Sequence, residues 1–542
     1  MIAYIQKHIL IYSLIIIVIM GFLLTISIYP RIIDPHYDNW LLSGDTDIVQ
    51  PYTAWLLYKN SDWVFPFATI ARYGFPVATT ISFSDSIPLF AIPFKIIRNF
   101  LTHTFQYIGL WIVFCVMMQG VFGFLFVYKM NRRHSIAIVV ACLFMLSPVM
   151  WFRLGGHFAL GGQWILLWGL YLLFLHKNFM WKQWIVVLCI SILIHPYFVF
   201  MNIMICMIDM ISVWRLKKMS TVFFGVYSGI YFFILLIMSY ILGLFSISSV
   251  SASGFGEFSV NLNSFVNPQG WSLFLPSFAL VNNFQMEGFA YMGLGILFLL
   301  LCAGIYGIWY VYITRHIYTK KWFVDFFSMY WPYIGGFVCI LFIAMGFRMS
   351  IGSHILFIIP HPTIFDSLFS IVRSSGRFVW IIYYALIFAI VYILNRIPYK
   401  LFLMILLCAV FLQIIDIAPT LYKRGDVFVS SYWETTLHDS FWSTAFDKYD
   451  HIMFLPRTPL DSYMDFIYAS QDSDIIFDNV LTARMANENE WYIQKQIDFI
   501  KQNIVQQDTL YVMTTYDRDF ISSLDEKQVS LKKIDGYIVI AP

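Results

Sequence analysis

The residues best placed to do chemistry come early, in Ser43-Gly44-Asp45-Thr46-Asp47-Ile48-Val49-Gln50-Pro51-Tyr52, just after a long apolar run. Two carboxylates at i and i+2 point the same way on an extended chain and diverge on a helix. Beside an apolar boundary, desolvation and mutual repulsion raise one of the two pKa values. A carboxylate shifted in that way can take the proton of a hydroxyl. Asp45 ranks ahead of Asp47 because Gly44 before it permits a tight, exposed turn. The same stretch also reads as a solvated loop with an Asx turn and a helix cap.

Arginines supply the complementary charge. Arg373 and Arg377 precede an apolar run and stand four residues apart, which puts both on one face of a helix. The small polar insert Ser374-Ser375-Gly376 would let a phosphate reach backbone N–H groups; alternatively, both arginines snorkel to lipid headgroups. Arg153 and His157 flank Gly155-Gly156 at the end of another apolar run. Charged groups at membrane depth are usually paired or functional, so Arg153 is expected to pair with an acid of the first polar loop. Asp85 and Glu287 each read either as a helix cap or as a further acid of the site. Asp209, inside an apolar run, is expected to pair with Arg215 or its neighbours, and His195 to be a satisfied turn histidine. No HExxH and no Cys/His cluster points to a metal.

The elements that must hold these residues are membrane helices. The chain has 542 residues, of which 60% are hydrophobic and 12% charged, with a mean hydropathy of +0.73. That excludes both a single large soluble protein and a disordered chain. The net charge of +3 comes from scattered short clusters, which is no nucleic-acid footprint. All seven cysteines fall inside apolar runs and read as small buried side chains. A bilayer core needs about 20 apolar residues per helix. Candidate spans lie near 9–28, 106–128, 136–152, 159–175, 183–195, 197–214, 221–245, 289–313, 328–346, 378–394 and 401–417, about eleven in all. The pair at 183–214 requires a tight turn at His195-Pro196.

Basic clusters at Lys129/Arg132/Arg133, Lys177/Lys182, Arg215/Lys217/Lys218, Arg315/Lys320/Lys321 and Arg396/Lys400 alternate correctly if the N-terminus is cytoplasmic. The long segments 30–105, 246–288 and 347–377, with Asp366 and most of the other acids, then face outward. The apolar stretch 81–101 in the first of them is expected to lie in the outer interface rather than span. From about Thr420 the composition turns polar, with 11 basic against 19 acidic residues. Strands are expected at His451–Pro456, Thr509–Thr514 and Tyr537–Ile540, and a helix at Glu488–Val505. This divides the chain into a transmembrane domain, 1–418, and a small outer α/β domain, 419–542.

In this order of features the chain resembles the GT-C superfamily of polytopic membrane glycosyltransferases, and more particularly a bacterial branch of it. The marks are Gly44-Asp45 with Gln50, Phe83-Ser84-Asp85-Ser86-Ile87-Pro88, Arg153-Leu154-Gly155-Gly156-His157, Glu287-Gly288-Phe289-Ala290-Tyr291-Met292-Gly293 and Arg373-Ser374-Ser375-Gly376-Arg377-Phe378. The resemblance implies a polyprenyl-phosphate-linked sugar as donor and a glycan, lipid or protein acceptor at the outer face of a bacterial plasma membrane. It places Asp45 or Asp47 as the catalytic base. Arg373, Arg377 and Arg153 would then bind the donor phosphate, and His157, Asp85, Gln50 and Glu287 the substrates. Some members of that superfamily use a divalent ion near the acidic pair, so a metal dependence stays open. Two other readings stand beside this one: a transporter or flippase for lipid-linked saccharides, and a non-catalytic assembly protein on the same scaffold.

Overall fold

An apolar run that enters lipid must satisfy every backbone N–H and C=O internally, and this chain does so with helices. The computed structural model describes residues 2–175, 178–246, 254–315, 318–360, 372–456, 463–480, 486–502, 504–514 and 530–541; Lys177 and Asp366 lie outside them. Among the described residues nine helices are long and apolar enough to cross a bilayer: His8–Ile28, Ile108–Asn131, Phe158–Leu175, Pro196–Arg215, Thr221–Ile241, Leu294–Thr314, Lys320–Ala344, Ser375–Leu394 and Tyr399–Ser430. The chain is therefore a multi-pass membrane protein.

The expected eleven spans differ from this in two places. The run 136–152 is a bent pair, His134–Met145 and Pro148–Leu154, turned by 44°. Pro148 starts the second helix, where its missing N–H interrupts no hydrogen bond. The run 183–195 is a helix of 14 residues, Trp181–Ile194, too short to cross alone. His195 ends it and caps the next helix, Pro196–Arg215, accepting the Tyr197 N–H at Nδ1 (3.1 Å). The turn at His195-Pro196 is as expected. Asp209 does not pair with Arg215: its Oδ2 accepts the Trp184 indole N–H at 2.8 Å, while Arg215 donates to Ser328 Oγ at 3.1 Å.

The loops gather at the two ends of the bundle. At one end Asn131 bonds Asn395 at 3.0 Å, Arg133 stacks on Tyr399, and Arg396 stacks on Tyr310. At the other end lie the long polar segments. The helices used below are α1 (Ile2–Ile28), α2 (Thr46–Asn60) and α3 (Tyr399–Ser430). The stretch 81–101 forms no span, only a helix at Pro88–Ile96 and a short turn after it. The change of composition near Thr420 is not a break in structure either. Helix α3 continues through residue 418 to Ser430 despite Pro419, so the division expected at 418/419 falls inside a helix.

Beyond α3 the tail forms a small α/β layer. Strands β1 (His451–Leu455), β2 (Ile476–Asp478), β3 (Thr509–Met513), β4 (Ser530–Ile534) and β5 (Tyr537–Ala541) lie in the order β2-β1-β3-β5-β4. The first three are parallel, and β5 runs antiparallel to its neighbours. The helix Asn487–Lys501 stands close to its expected bounds. Strands β2 and β4 escaped the sequence reading: one is three residues long, and the other, Ser-Leu-Lys-Lys-Ile, shows no buried face.

The sheet does not end at β2. Gly74 N–H donates to Phe477 O (2.9 Å) and Phe477 N–H to Arg72 O (3.0 Å), so the first polar loop covers the open edge. Buried Arg72 reaches the carbonyls of Ile475 and Ser470, both at 2.9 Å. Asn489 holds both backbone groups of Val77, at 2.8 and 2.9 Å. The loop and the tail therefore occupy the same side of the membrane. Arg72→Leu removes a charge-assisted pair of bonds and strands two carbonyls, at a cost of about 1–3 kcal/mol. Limited proteolysis of the protein in detergent should then cut near Ser431–Ser440 faster than in wild type, with the bundle itself intact.

Candidate functional site

Asp45 is the N-cap of α2 and accepts the Ile48 N–H at 3.3 Å, and Asp47 lies in the first turn. The pair therefore straddles a helix start, with Asp45 in extended backbone and Asp47 in the first turn. Gly44 is required by packing: a Cβ there would lie 2.4 Å from Ile48 Cγ2. Asp45 is exposed. Asp47 is half exposed, and its Oδ2 meets His157 Nε2 at 3.4 Å. Partial burial, then Asp45 and Glu287, raise the Asp47 pKa against the pull of Arg377 and Arg153. Burial, followed by Arg377 and Arg153, pushes His157 down to about 3, so this imidazole is neutral at physiological pH.

Behind them sits a buried ion triplet. Arg153 binds Glu287 with both terminal nitrogens, at 3.1 Å to Oε1 and 3.0 Å to Oε2, and also reaches the Glu287 carbonyl at 3.1 Å. Arg377 Nε adds a bond to Oε2 at 2.7 Å. Burial alone would raise the Glu287 carboxyl, but the two guanidiniums hold it well below the usual carboxylate range. Two expectations are corrected here. Arg153 pairs with Glu287, not with an acid of the first loop. Glu287 caps no helix, since the turn Asn283–Gly288 is capped by Asn282.

Arg373 and Arg377 do not share a helix face. Residues Ser375–Phe378 form a 3-10 turn. It is pressed so closely on Glu287-Gly288 that a Cβ at Gly376 would lie 2.8 Å from Gly288 Cα. Gly376 N–H donates to Phe258 O at 2.8 Å. Arg377 is thus turned inward over the Tyr197 ring (4.7 Å), while Arg373 stays exposed beside Phe258 (5.5 Å). Among the described residues Arg373 makes no ion pair.

Asp85 also fails as a cap. Ile87 precedes the helix Pro88–Ile96 and no side chain caps it; Asp85 and Ile87 sit at φ +59° and +51°. Both Asp85 carboxyl oxygens are buried without a hydrogen bond among the described residues, and Oδ1 lies 3.8 Å from His195 Nε2. Because His195 Nδ1 accepts the Tyr197 N–H, a neutral ring carries its proton on Nε2. Burial pushes Asp85 up to about 7 against the Arg377 charge. Burial and then Arg377 hold His195 far below its usual value. Gln50 lies on α2, half buried, and its side chain makes no hydrogen bond among the described residues.

The structure thus gathers Asp45, Asp47, His157, Arg153, Glu287, Arg377, Asp85 and the exposed Arg373 at one end of the bundle. Sequence reasoning did not place three neighbours in the site: His195, read only as a turn histidine, Tyr197 and Arg424 of α3. Arg424 lies over Trp271 (4.8 Å) and Phe152 (5.7 Å) and has no ion pair or hydrogen bond among the described residues. Its only sequence signal was Lys423-Arg424 at the end of an apolar run, which read as the start of the tail. Among the described residues no three His, Cys, Asp or Glu side chains stand close enough to hold a metal ion. Of the acidic pair, Asp45 is already engaged as a helix cap.

The chain belongs to the family described as "Domain of unknown function (DUF6311)", whose model matches residues 16–418; the model of the DUF6311 C-terminal domain matches residues 441–542. No curated protein and no solved structure matches it.

Glu287→Gln leaves two buried guanidiniums without a counter-charge, a loss of about 3–5 kcal/mol to be read as a lower Tm in detergent. Because folding lowers the Glu287 pKa, its stabilisation is complete above the unfolded value of about 4.3. It is lost as pH falls below that value toward the folded one. The Tm difference between wild type and Glu287→Gln should therefore shrink on acidification below about pH 4.

Proposed function

We propose that this cluster is the active centre of a GT-C-type membrane glycosyltransferase. In this reading it moves a sugar from a polyprenyl-phosphate carrier to a hydroxyl of a glycan, lipid or protein at the outer face of a bacterial plasma membrane. The observation that carries the reading is Asp47 in contact with His157 directly in front of the Arg153–Glu287–Arg377 triplet. A base and a fixed surplus of positive charge then meet at one membrane boundary.

Asp47 is the better base of the two acids. Asp45 holds its oxygen against the Ile48 N–H, whereas Asp47 is shifted upward, toward the pH at which it must work. As the acceptor oxygen attacks the anomeric carbon, its proton passes to the Asp47 carboxylate. The bond from that carbon to the phosphate oxygen breaks, and its electron pair leaves with the polyprenyl phosphate. A single displacement of this kind inverts the anomeric centre. The developing phosphate charge is stabilised by preorganised guanidiniums. Arg153 and Arg377 together outweigh the one carboxylate between them, and Arg373 adds an unpaired cation. Neutral His157 orients Asp47.

The positive loops then face the cytoplasm with the N-terminus, and the tail domain, taken as 419–542, lies in the periplasm. Its contact with residues 72–77 makes it part of the acceptor surface. General-base catalysis is worth about 10²–10⁴ in rate. Asp47→Asn should lower sugar transfer from a labelled polyprenyl-phosphate sugar by that factor in proteoliposomes, with normal insertion and Tm. Asp45→Asn should cost less than about tenfold. Full transfer by both variants would reject the assignment. Carrier-linked sugar that changes leaflet without being consumed would mark a transporter instead.

A further inference from the structure

A cavity of about 860 Å³ lies at the end of the bundle away from the candidate centre. The helix Pro196–Arg215 starts beside that centre, where His195 faces Asp85. Its 20 residues carry the chain about 30 Å along the axis. Arg215, Lys217 and Lys218 line the cavity there, and no acidic residue does. Among the described residues neither Arg215 nor Lys217 makes an ion pair, and Arg215 donates only to the Ser328 hydroxyl at 3.1 Å. Lys217 takes left-handed backbone at φ +55°, a conformation that glycine adopts without penalty at the end of a helix.

The opposite wall is aromatic. Phe179 and Phe223 pack on Tyr227 with ring centres at 5.5 and 6.0 Å. Phe223 and Tyr227 belong to the span Thr221–Ile241, in which only Tyr231 is buried, so the cavity opens along a helix that faces lipid. Two hydroxyls lie between the walls. Ser220 Oγ accepts the Phe223 N–H at 3.3 Å, and Thr221 Oγ1 accepts the Trp214 indole N–H at 3.2 Å. Both are fixed as acceptors, so each keeps its own proton to donate. Cations, then two hydroxyl donors, then aromatic rings is the order of groups along a phospholipid, from phosphate through ester carbonyls to acyl chain.

We propose that this cavity binds an anionic glycerophospholipid of the adjacent leaflet. Arg215, Lys217 and Lys218 receive its phosphate, Ser220 and Thr221 its ester carbonyls, and Phe223 and Tyr227 the start of its acyl chains. The general excess of basic residues in short loops accounts for three cations at a helix end, but not for their enclosure with an aromatic wall and two free donors. The lipid bridges the helices Pro196–Arg215 and Thr221–Ile241 at their joint. The site stands apart from the candidate centre and does not depend on the glycosyltransferase reading.

The test is binding of phosphatidylglycerol to the full-length protein in detergent by native mass spectrometry, against phosphatidylcholine with the same acyl chains and against glycerol 3-phosphate. Phosphatidylglycerol should bind the most tightly of the three. Lys217→Gly removes a cation and relaxes the left-handed turn, so the lipid-free Tm should hold or rise while phosphatidylglycerol affinity falls about fivefold. Arg215→Gln should add a loss of similar size. Arg396→Gln, at the same end of the bundle but outside the cavity, should change nothing. Phosphatidylcholine bound as tightly as phosphatidylglycerol, full affinity in the double variant Arg215→Gln/Lys217→Gly, or an equal loss in Arg396→Gln overturns the proposal. Glycerol 3-phosphate bound as tightly as the lipid overturns it as well, because the aromatic wall then contributes nothing.

Discussion

The structure turns on one carboxylate held between two buried guanidiniums. Isolated charges at membrane depth are expensive, and they persist when paired and hydrogen-bonded. Glu287 meets that condition with bonds to Arg153 and Arg377, which come from distant parts of the chain. The triplet therefore fixes the end of the bent pair, the turn Asn283–Gly288 and the turn Ser375–Phe378 against one another. Every other candidate group is placed relative to it. His157 follows Arg153 by four residues, Asp47 meets His157, and Tyr197 lies under Arg377. Because the triplet is not neutral, it also sets the local potential, adding to the burial that keeps His157 unprotonated and opposing the burial-driven rise of Asp85.

Much of the architecture was legible because bilayer physics is simple. Length and apolarity are one-dimensional signals, and the helices follow them, apart from the bend at Pro148 and the short helix Trp181–Ile194. The tail was half legible. Strands with an alternating or fully buried pattern announce themselves, while Ile476–Asp478 is too brief and Ser530–Ile534 too polar to do so.

The site was legible as a set of residue types and illegible as a set of partners. Gly44-Asp45, Arg153, Glu287 and Arg377 stood out in the sequence, but which acid neutralises which arginine depends on contacts between segments 90 and 134 residues apart. Arg373 and Arg377 looked equivalent at helical spacing. The close approach of Gly376 to Gly288 imposes a tighter turn and sends one side chain inward and the other out. Arg424 was hidden for a different reason. It lies on a helix that outlasts its apolar segment, so it read as part of the polar tail.

The stitching of residues 72–77 to the terminal sheet has a mechanical consequence. The loop that bears Asp45 and Asp47 forms the rim of the centre, and its far end is an added strand of β2. Rim and sheet are therefore tied together by backbone and side-chain hydrogen bonds. A shift of the terminal sheet is then passed through residues 72–77 to the segment that bears Asp45 and Asp47.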